Sequence, residues 1–590
     1  MKSHEEGTRA VIKLMFRVLP IQILLAAVGG VNGIVSSYFA SNFVGIDAMS
    51  AVGVYFPLNT MLTAISTMLS GGSAILCGKY LGRNDQEKVR SVFSLNLLLA
   101  TGIAGLFAAL FVLMGSLNLT GFLSRDPAVQ PLFNTYLLGQ AIGVVPFVLG
   151  NQLPVYLSME TKQNRTLTAS LAYIAVNVAL NFLFVQVLHL EAFGLALASA
   201  LGLWVFLGVQ ASYFLSGKSK LRLRLKGISP RESFEILRTG LPGAASSGYQ
   251  TIRGIILNNL LEVFVGSVGI SAFATANNLL AIFWGIPNGM LAVSRLMISV
   301  AVGEEDRQTL VDVMRNMFRR FVPLMCCVSA LIILCADPLT RIFYQDPASP
   351  VFAMTAWGFR ILPLCMPLSI ICVHFICFGQ TMNQQVLVHT LALLDGVVCV
   401  AGFSALLIGS MGLNGVYVAN VLNGVVCVLA VMVYAWAKKK RFPRTVEDMM
   451  VIPADFGVGP EDRIDISVRS IDEVLTVSKQ VAEFCRRRGI DDRRSYLSGL
   501  CLEEMAGNIV EHGFRKDSKK HSVDIRVAHK ADEMILRIRD DCVPFDPKER
   551  NELTSPADKV KNMGIRMVYK AAKDVEYQSV LGLNVLTIRI

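Results

Sequence analysis

Residues 28–58, VGGVNGIVSSYFASNFVGIDAMSAVGVYFPL, and residues 69–93, LSGGSAILCGKYLGRNDQEKVRSVF, decide the fold. An apolar run ends at Gly82, the charged segment Arg83 to Lys88 follows, and a second apolar run starts at Val89 and continues past Val92. Each run is long enough to cross roughly 30 Å of hydrocarbon as a helix. The same reading extends along the chain, where comparable stretches begin near Leu14, Ala51, Val92, Leu132, Leu167, Phe193, Leu241, Ala272, Phe321, Val351, Val386 and Gly415. This pattern predicts an all-α membrane protein with twelve transmembrane helices.

Composition supports the division and locates its end. Over 590 residues, 53% are hydrophobic and 17% charged, with a mean hydropathy of +0.51, against about 25% charged in soluble domains. Residues 1–444 hold 31 Lys and Arg against 18 Asp and Glu, whereas residues 445–590 hold 24 against 26. The net charge of +11 therefore comes from the membrane part, and nucleic acid is not an expected partner. With loops assigned alternately, one side collects Lys79, Arg83, Lys88, Arg90, the segment KSKLRLRLKGISPR from Lys218, and KKKRFPR from Lys438; the other keeps Arg125 and Arg341. The imbalance predicts both termini and the tail in the cytoplasm, with the chain multi-pass in the plasma membrane. The segment MKSHEEGTRAVIK is mixed in charge and has no small-residue cleavage site, so the first span is expected to stay. Nine of the twelve Cys lie in apolar runs with no CxxC pair, as small core residues of a reducing compartment do.

An internal repeat appears at an offset of 221. Val44-Gly45 recurs as Val265-Gly266, Ser50-Ala51 as Ser271-Ala272, Leu58 as Leu279, Gly82 as Gly303, and Asp85 as Asp306. Six spans per unit is an even number, so the two copies, 1–222 and 223–440, should share one orientation about an axis along the membrane normal. Such halves suit alternating access.

The stretch from Val28 to Phe93 resembles the multidrug and toxic compound extrusion (MATE) family of secondary antiporters, and the similarity runs over about residues 10–440. It implies two six-helix bundles around a V-shaped cavity and export of bulky, often cationic, small organic compounds in exchange for Na⁺ or H⁺. Where the family commonly has an acidic residue in the first helix, this chain has Asn32, whose amide takes up no proton but can ligate a cation through oxygen. Ionisable groups inside spans are candidate transport residues because they are costly there. They are Arg253, Arg360 and Asp395, with Glu262 and Arg295 nearer helix ends and His374 as a titratable neighbour. Asp395 is the one acid read deep in a span; it is either a coupling-ion site or half of an ion pair with Arg253 or Arg360. Asn258-Asn259, Asn277-Asn278, Asn177 and Asn181 either line a polar cavity or bond between helices.

After residue 440, a linker (441–462) contains Pro453, Gly457, Gly459 and Pro460 and reads as extended and flexible, keeping the tail near the membrane lipid. Residues 463–590 read as a soluble domain: strand RIDISV, a helix ending at Gly489, a helix opened by Asp491, a hairpin HSVDIRVAHK/EMILRIRD, a helix from Gly564, and strands DVEYQSV and NVLTIRI. A mixed sheet under helices follows, an α+β sandwich. Three stretches resemble the GHKL (Bergerat-like) ATP-binding fold, in particular the anti-sigma-factor type of serine kinase: Glu504 with Asn508, Asp540-Asp541-Cys542-Val543-Pro544-Phe545-Asp546, and Asn562-Met563-Gly564-Ile565. The resemblance implies ATP with Mg²⁺ on Asn508, Glu504 as general base, Asp540 on the adenine amino group, Asp546 in the same nucleotide element, and Gly564 at a helix N-terminus that meets phosphate. Cys542 and Asn562 stand where the family prefers Gly.

The combined expectation is a cation-coupled exporter with a cytoplasmic ATP-binding regulatory domain. Two alternatives stay open: a membrane-anchored serine kinase that uses the transporter part as sensor and acts in trans on a STAS-type or sigma-factor-like partner, and a flippase for lipid-linked substrates. The tail was further expected to contact the basic loop Lys218–Arg231 through its acidic residues.

Overall fold

The computed structural model describes residues 46–122, 129–223, 230–344, 346–515, 521–530, 533–548, 562–580 and 582–590, with a few positions between 16 and 24. Asn32, the span beginning near Leu14 and the hairpin turn at Ala531-Asp532 lie outside the described residues. The helices of the first lobe are α1 (Ile46–Gly82), α2 (Gln86–Ser116), α3 (Val129–Gly150), α4 (Gln163–Asn181) and α5 (Glu191–Leu215). The second lobe contains α6 (Pro230–Phe264), α7 (Gly266–Phe283), α8 (Gly285–Gly303), α9 (Arg307–Asn316), α10 (Val322–Leu334), α11 (Pro350–Ile361), α12 (Cys365–Thr381), α13 (Gln385–Leu393), α14 (Cys399–Met411) and α15 (Leu413–Lys439). Among the described residues, ten helical segments are long and apolar enough to cross a membrane. The span expected near Leu241 is present as α6 but is not among the ten. Arg238, Gln250, Arg253, Asn258, Asn259 and Glu262 dilute its hydropathy.

The two turns matched by the offset of 221 share a backbone geometry. At the end of α1, Asn84 has φ 55°, and Asp85 caps α2 by accepting from Lys88 N at 3.1 Å. At the end of α8, Glu305 has φ 52°, and Asp306 caps α9 by accepting from Thr309 N at 2.9 Å. The two turns have diverged in charge: Arg83-Asn84-Asp85 in one copy, Glu304-Glu305-Asp306 in the other. Here the lobes touch backbone to backbone. A Cβ on Gly82 would lie 2.3 Å from Val300 O, and one on Gly303 2.2 Å from Lys79 O, so only glycine permits the approach.

The linker is anchored rather than extended. Thr445 and Asp448 form a capping box that starts the short helix α16 (Val446–Met450). Met450 and Ile452 are buried in the same apolar core as the membrane helices. Arg307 donates to Glu447 at 2.9 Å and to Pro453 O at 3.0 Å, and Gln384 donates to Met450 O at 3.1 Å. Three apolar side chains at helical and turn positions, Met450, Ile452 and Phe456, overrode the Pro and Gly signal.

In the tail, β1 (Arg463–Val468), β2 (Val523–Lys530), β3 (Glu533–Asp540), β4 (Asp574–Val580) and β5 (Leu583–Arg589) form one sheet in the order β1-β2-β3-β5-β4. Every pairing is antiparallel, which corrects the expected mixed sheet. Helices α17 (Ile471–Arg487), α18 (Asp492–Asn508) and α19 (Met563–Ala571) cover the face that presents Val523, Ile525, Val527, Met534, Leu536, Ile538, Leu586 and Ile588.

Candidate functional site

The opposite face of the sheet carries cations. Arg526 on β2 stands directly across from Arg537 on β3, with Arg539 two residues further along that strand. Like charges opposed in a sheet are destabilising by themselves. The α8–α9 turn supplies the compensation. Arg539 pairs with Asp306 at 2.8 Å and also with Glu304; Arg526 pairs with Asp306 and Asp465; Arg537 lies 3.6 Å from Glu304. Thr309 Oγ1 accepts from Arg539 at 2.9 Å and from Arg526 at 3.2 Å. The side chains of Glu304 and Asp306 are 2% and 1% exposed, so this is a buried network. Burial pushes the Asp306 carboxyl up, but Arg526, Arg539 and Arg537 outweigh it and hold the group far below the usual carboxylate range. Among the described residues, the tail thus meets the acidic turn of the second lobe through its basic face; residues 224–229 of the loop expected to receive it lie outside them. The divergence of the repeat explains the choice, because the equivalent first-lobe turn carries Arg83 where the second has Glu304. Three arginines on one face of paired strands, matched to Glu304-Glu305-Asp306, were the signal that sequence reading passed over.

On the helix side, a cavity of about 500 Å³ opens at the end of β3, lined among others by Asn508, His512, Asp540, Cys542, Asn562 and Tyr577. The sequence-predicted Asn508 and Asp540 are brought together there. Asp540 Oδ1 accepts from Asn584 Nδ2 at 2.8 Å and from Cys542 N at 2.9 Å, while Tyr577 Oη donates to Asn584 Oδ1 at 3.0 Å. Asn584, Tyr577 and His512 were not foreseen as site residues; they come from distant strands and a helix end, and no motif marks them. Glu504 stands beside the cavity at the start of α19, where a Cβ on Gly564 would lie 1.9 Å from its Oε2. Glycine at 564 is therefore what lets the carboxylate and the helix N-terminus approach. Asp546 is not among the cavity-lining residues and accepts from Lys548 N at 2.8 Å in its own turn. Asn562 takes the left-handed conformation, φ 57°, whereas Cys542 is not among the residues of positive φ, so no backbone strain attaches to the cysteine.

Burial raises the Asp540 carboxyl above the free value of 3.8, against the lowering effect of Asn584 and Cys542. A raised carboxyl gains its proton earlier as pH falls, and the protonated form is a poorer acceptor for a donor in the cavity. On the reading proposed below, in which Asp540 accepts from a bound nucleotide, affinity is full near neutrality and declines in acid starting above the ordinary Asp range; titrations of ATP into the full-length protein at successive pH values measure this, and a profile breaking only below 3.8 is the contrary outcome.

In the membrane part, Asp395 lies in a single π turn, Leu394–Val398, between α13 and α14. Its Oδ1 accepts from Asn423 Nδ2 at 2.8 Å, and its main-chain oxygen accepts from Arg253 Nη1 at 3.2 Å. Arg360 is elsewhere, paired with Asp337 at 2.8 Å and stacked over Trp357. The expected set thus divides: Arg253 and Asp395 come together, and Arg360 does not join them. His374 is buried, with Ser294 Oγ at 2.9 Å from Nε2 and Ile370 O at 2.8 Å from Nδ1. Asn181 bonds to Asn177 O at 2.9 Å, one turn back on the same helix.

Comparison with known proteins agrees with this division. A family model described as MatE matches residues 30–183 and 242–402, and one described as histidine kinase-like ATPase domain matches residues 469–590. The multidrug export protein MepA of Staphylococcus saprophyticus is 19% identical over 419 residues, 70% of this chain and 90% of that protein. A probable multidrug resistance protein NorM of Streptococcus pneumoniae is 22% identical over 304 residues, and the match spans 64% of its length and 50% of this chain. Among solved structures, MATE in complex with MaL6 superposes with a TM-score of 0.67 at 22% identity, covering 72% of this chain and 96% of that one. An outward-facing multidrug resistance MATE family transporter of the MOP superfamily gives 0.65 at 20%, covering 75% and 97%. With matched segments that span more than half of its length, this chain belongs to the MatE family of membrane transporters and carries a histidine kinase-like ATPase domain after its membrane helices.

Proposed function

We propose that the protein is a cation-coupled antiporter that exports small organic compounds, many of them cationic, across the plasma membrane, and that its cytoplasmic tail binds Mg-ATP and adjusts that export. The multidrug names of the relatives support the first half, and Asp395 between Arg253 and Asn423 is the residue proposed for the coupling ion, Na⁺ or H⁺. The observation that carries the second half is the double use of β3. Arg537 and Arg539 on one face grip the turn that follows Gly303, and Asp540, the next residue, lies in the wall of the nucleotide cavity. A change in the cavity is felt one peptide away from the contact with the transporter. That contact adjoins the Gly82–Gly303 approach of the two lobes, which must part for the cytoplasmic mouth to open.

In the proposed site, Asn508 would hold a Mg²⁺ through its side-chain oxygen, and the ion would neutralise phosphate charge. Glu504 would serve as base for a hydroxyl that displaces ADP from the terminal phosphoryl group, and the N–H groups at the start of α19 would meet phosphate. Asn508→Ala is expected to lower Mg-dependent ATP affinity tenfold or more, about 1.5–3 kcal/mol for a charge-assisted ligand. Glu504→Gln should spare binding and stop any phosphate transfer, since a base acts only as the hydroxyl attacks. Calorimetric titration of the full-length protein with ATP, with and without Mg²⁺, tests both; no ATP affinity in the wild type removes the regulatory half of the reading.

A further inference from the structure

Three donor groups, two soft and one hard, converge inside the second lobe. Cys372 on α12, Asp395 in the π turn and Cys427 on α15 place two sulfurs and a carboxylate oxygen within 4.8 Å of one another. Both cysteines are buried, at 1% and 0% exposure, while Asp395 is only partly covered, which leaves an approach from its side. We propose that Cys372, Asp395 and Cys427 form a binding site for a soft divalent cation, Zn²⁺ or Cd²⁺. The proposal goes beyond the exporter reading; it shares Asp395 with it and does not depend on transport.

Ligand chemistry selects the ion. Thiolates choose Zn²⁺ and heavier soft cations, whereas Na⁺, Mg²⁺ and Ca²⁺ take oxygen. A tetrahedral zinc about 2.3 Å from each sulfur sets the sulfurs about 3.8 Å apart. Donors already within 4.8 Å close to that geometry by about 1 Å. Three protein ligands leave a fourth position for water or for Cys399, which follows Asp395 by one helical turn and is buried. Asn423 donates through Nδ2 to Asp395 Oδ1 at 2.8 Å, an outer contact of the kind that holds ligands in place around metals, while the Cys427 S–H that points to Asn423 Oδ1 at 3.6 Å is given up when that thiol deprotonates. The π turn is itself informative, since single π turns concentrate where a helix must present a side chain at an unusual angle.

Charge balances as well. On binding, both thiols lose their protons to water and two metal–sulfur bonds form; two thiolates, one carboxylate and a divalent ion carry a net −1. Arg253, held at the main-chain oxygen of Asp395, offsets it, so the loaded site is neutral where a net charge is costly. Neither ion nor protein changes oxidation state.

The test uses Co²⁺ alone as probe, added to the purified full-length protein in detergent. The expected result is one Co²⁺ per chain with thiolate-to-cobalt charge-transfer and tetrahedral ligand-field bands, displaced by Zn²⁺ and accompanied by proton release. Cys372→Ser with Cys427→Ser should remove the bands, and Asp395→Asn should weaken binding at least tenfold. A measurement free of variants accompanies these: X-ray absorption of the Zn²⁺-loaded wild type should show sulfur scatterers about 2.3 Å from the metal. Absence of a thiolate band in folded wild-type protein, a band undiminished in the double serine variant, or loaded Zn²⁺ without sulfur neighbours overturns the proposal. Because none of these readings involves efflux, failure here leaves the exporter reading intact, and failed transport leaves this one intact.

Discussion

Asp395→Asn is expected to abolish ion-driven efflux while the protein remains folded in the membrane. The residue occupies a π turn with its carboxylate held by Asn423 and its main-chain oxygen by Arg253. A site that loads and releases a cation must alternate between two charge states, and an amide fixes one of them. With Asp395 neutral, Arg253 keeps its bond to the main-chain oxygen but loses the negative charge beside it. Proteoliposomes loaded with a lipophilic cation and given a Na⁺ or H⁺ gradient measure the effect. Efflux by Asp395→Asn at the wild-type rate removes the residue from the mechanism.

The second large effect is expected at the docked face of the tail. Arg539→Ala takes one of three guanidinium groups from Glu304 and Asp306, both almost wholly buried, leaving Arg526 and Arg537, and the lost charge-assisted bonds cost about 1.5–3 kcal/mol. The tail should then leave the α8–α9 turn although its nucleotide cavity, on the other side of the sheet, is untouched. Three observations are expected together: faster proteolysis within residues 453–462, unchanged ATP affinity, and transport that no longer responds to ATP. Wild-type protection in Arg539→Ala contradicts the docking account. Acid is not expected to release the tail in the ordinary carboxylate range. Asp306 is held ionised by three guanidinium groups, so its contribution is complete above the free carboxylate value and is lost only as pH falls through a much lower one.

Much of this was legible from residues alone, for physical reasons that also explain the misses. The spans, the repeat and the order of strands and helices in the tail come from periodicity over many positions, which single substitutions hardly alter. Asn508 and Asp540 were found because each belongs to a short motif in which the backbone itself is constrained. Asn584 and Tyr577 were not, since they reach the cavity from β5 and β4 through pairing that no local pattern encodes. The linker was misread because Pro and Gly report local stiffness, whereas its placement is set by Met450, Ile452 and the Arg307 contacts, formed with residues some 140 positions distant. The acidic turn escapes a reading by net charge over whole segments. What decides the contact is one face of two strands against one turn.

Nucleotide in the tail is proposed to alter transport through that contact. The direct measurement is substrate transport by the full-length protein in vesicles with Mg-ATP sealed on the tail side, without nucleotide, and with Asn508→Ala in the presence of ATP. The account predicts that ATP changes the wild-type rate and that Asn508→Ala with ATP behaves as the wild type without it. Identical rates under all three conditions would contradict it, leaving two tethered domains that work independently.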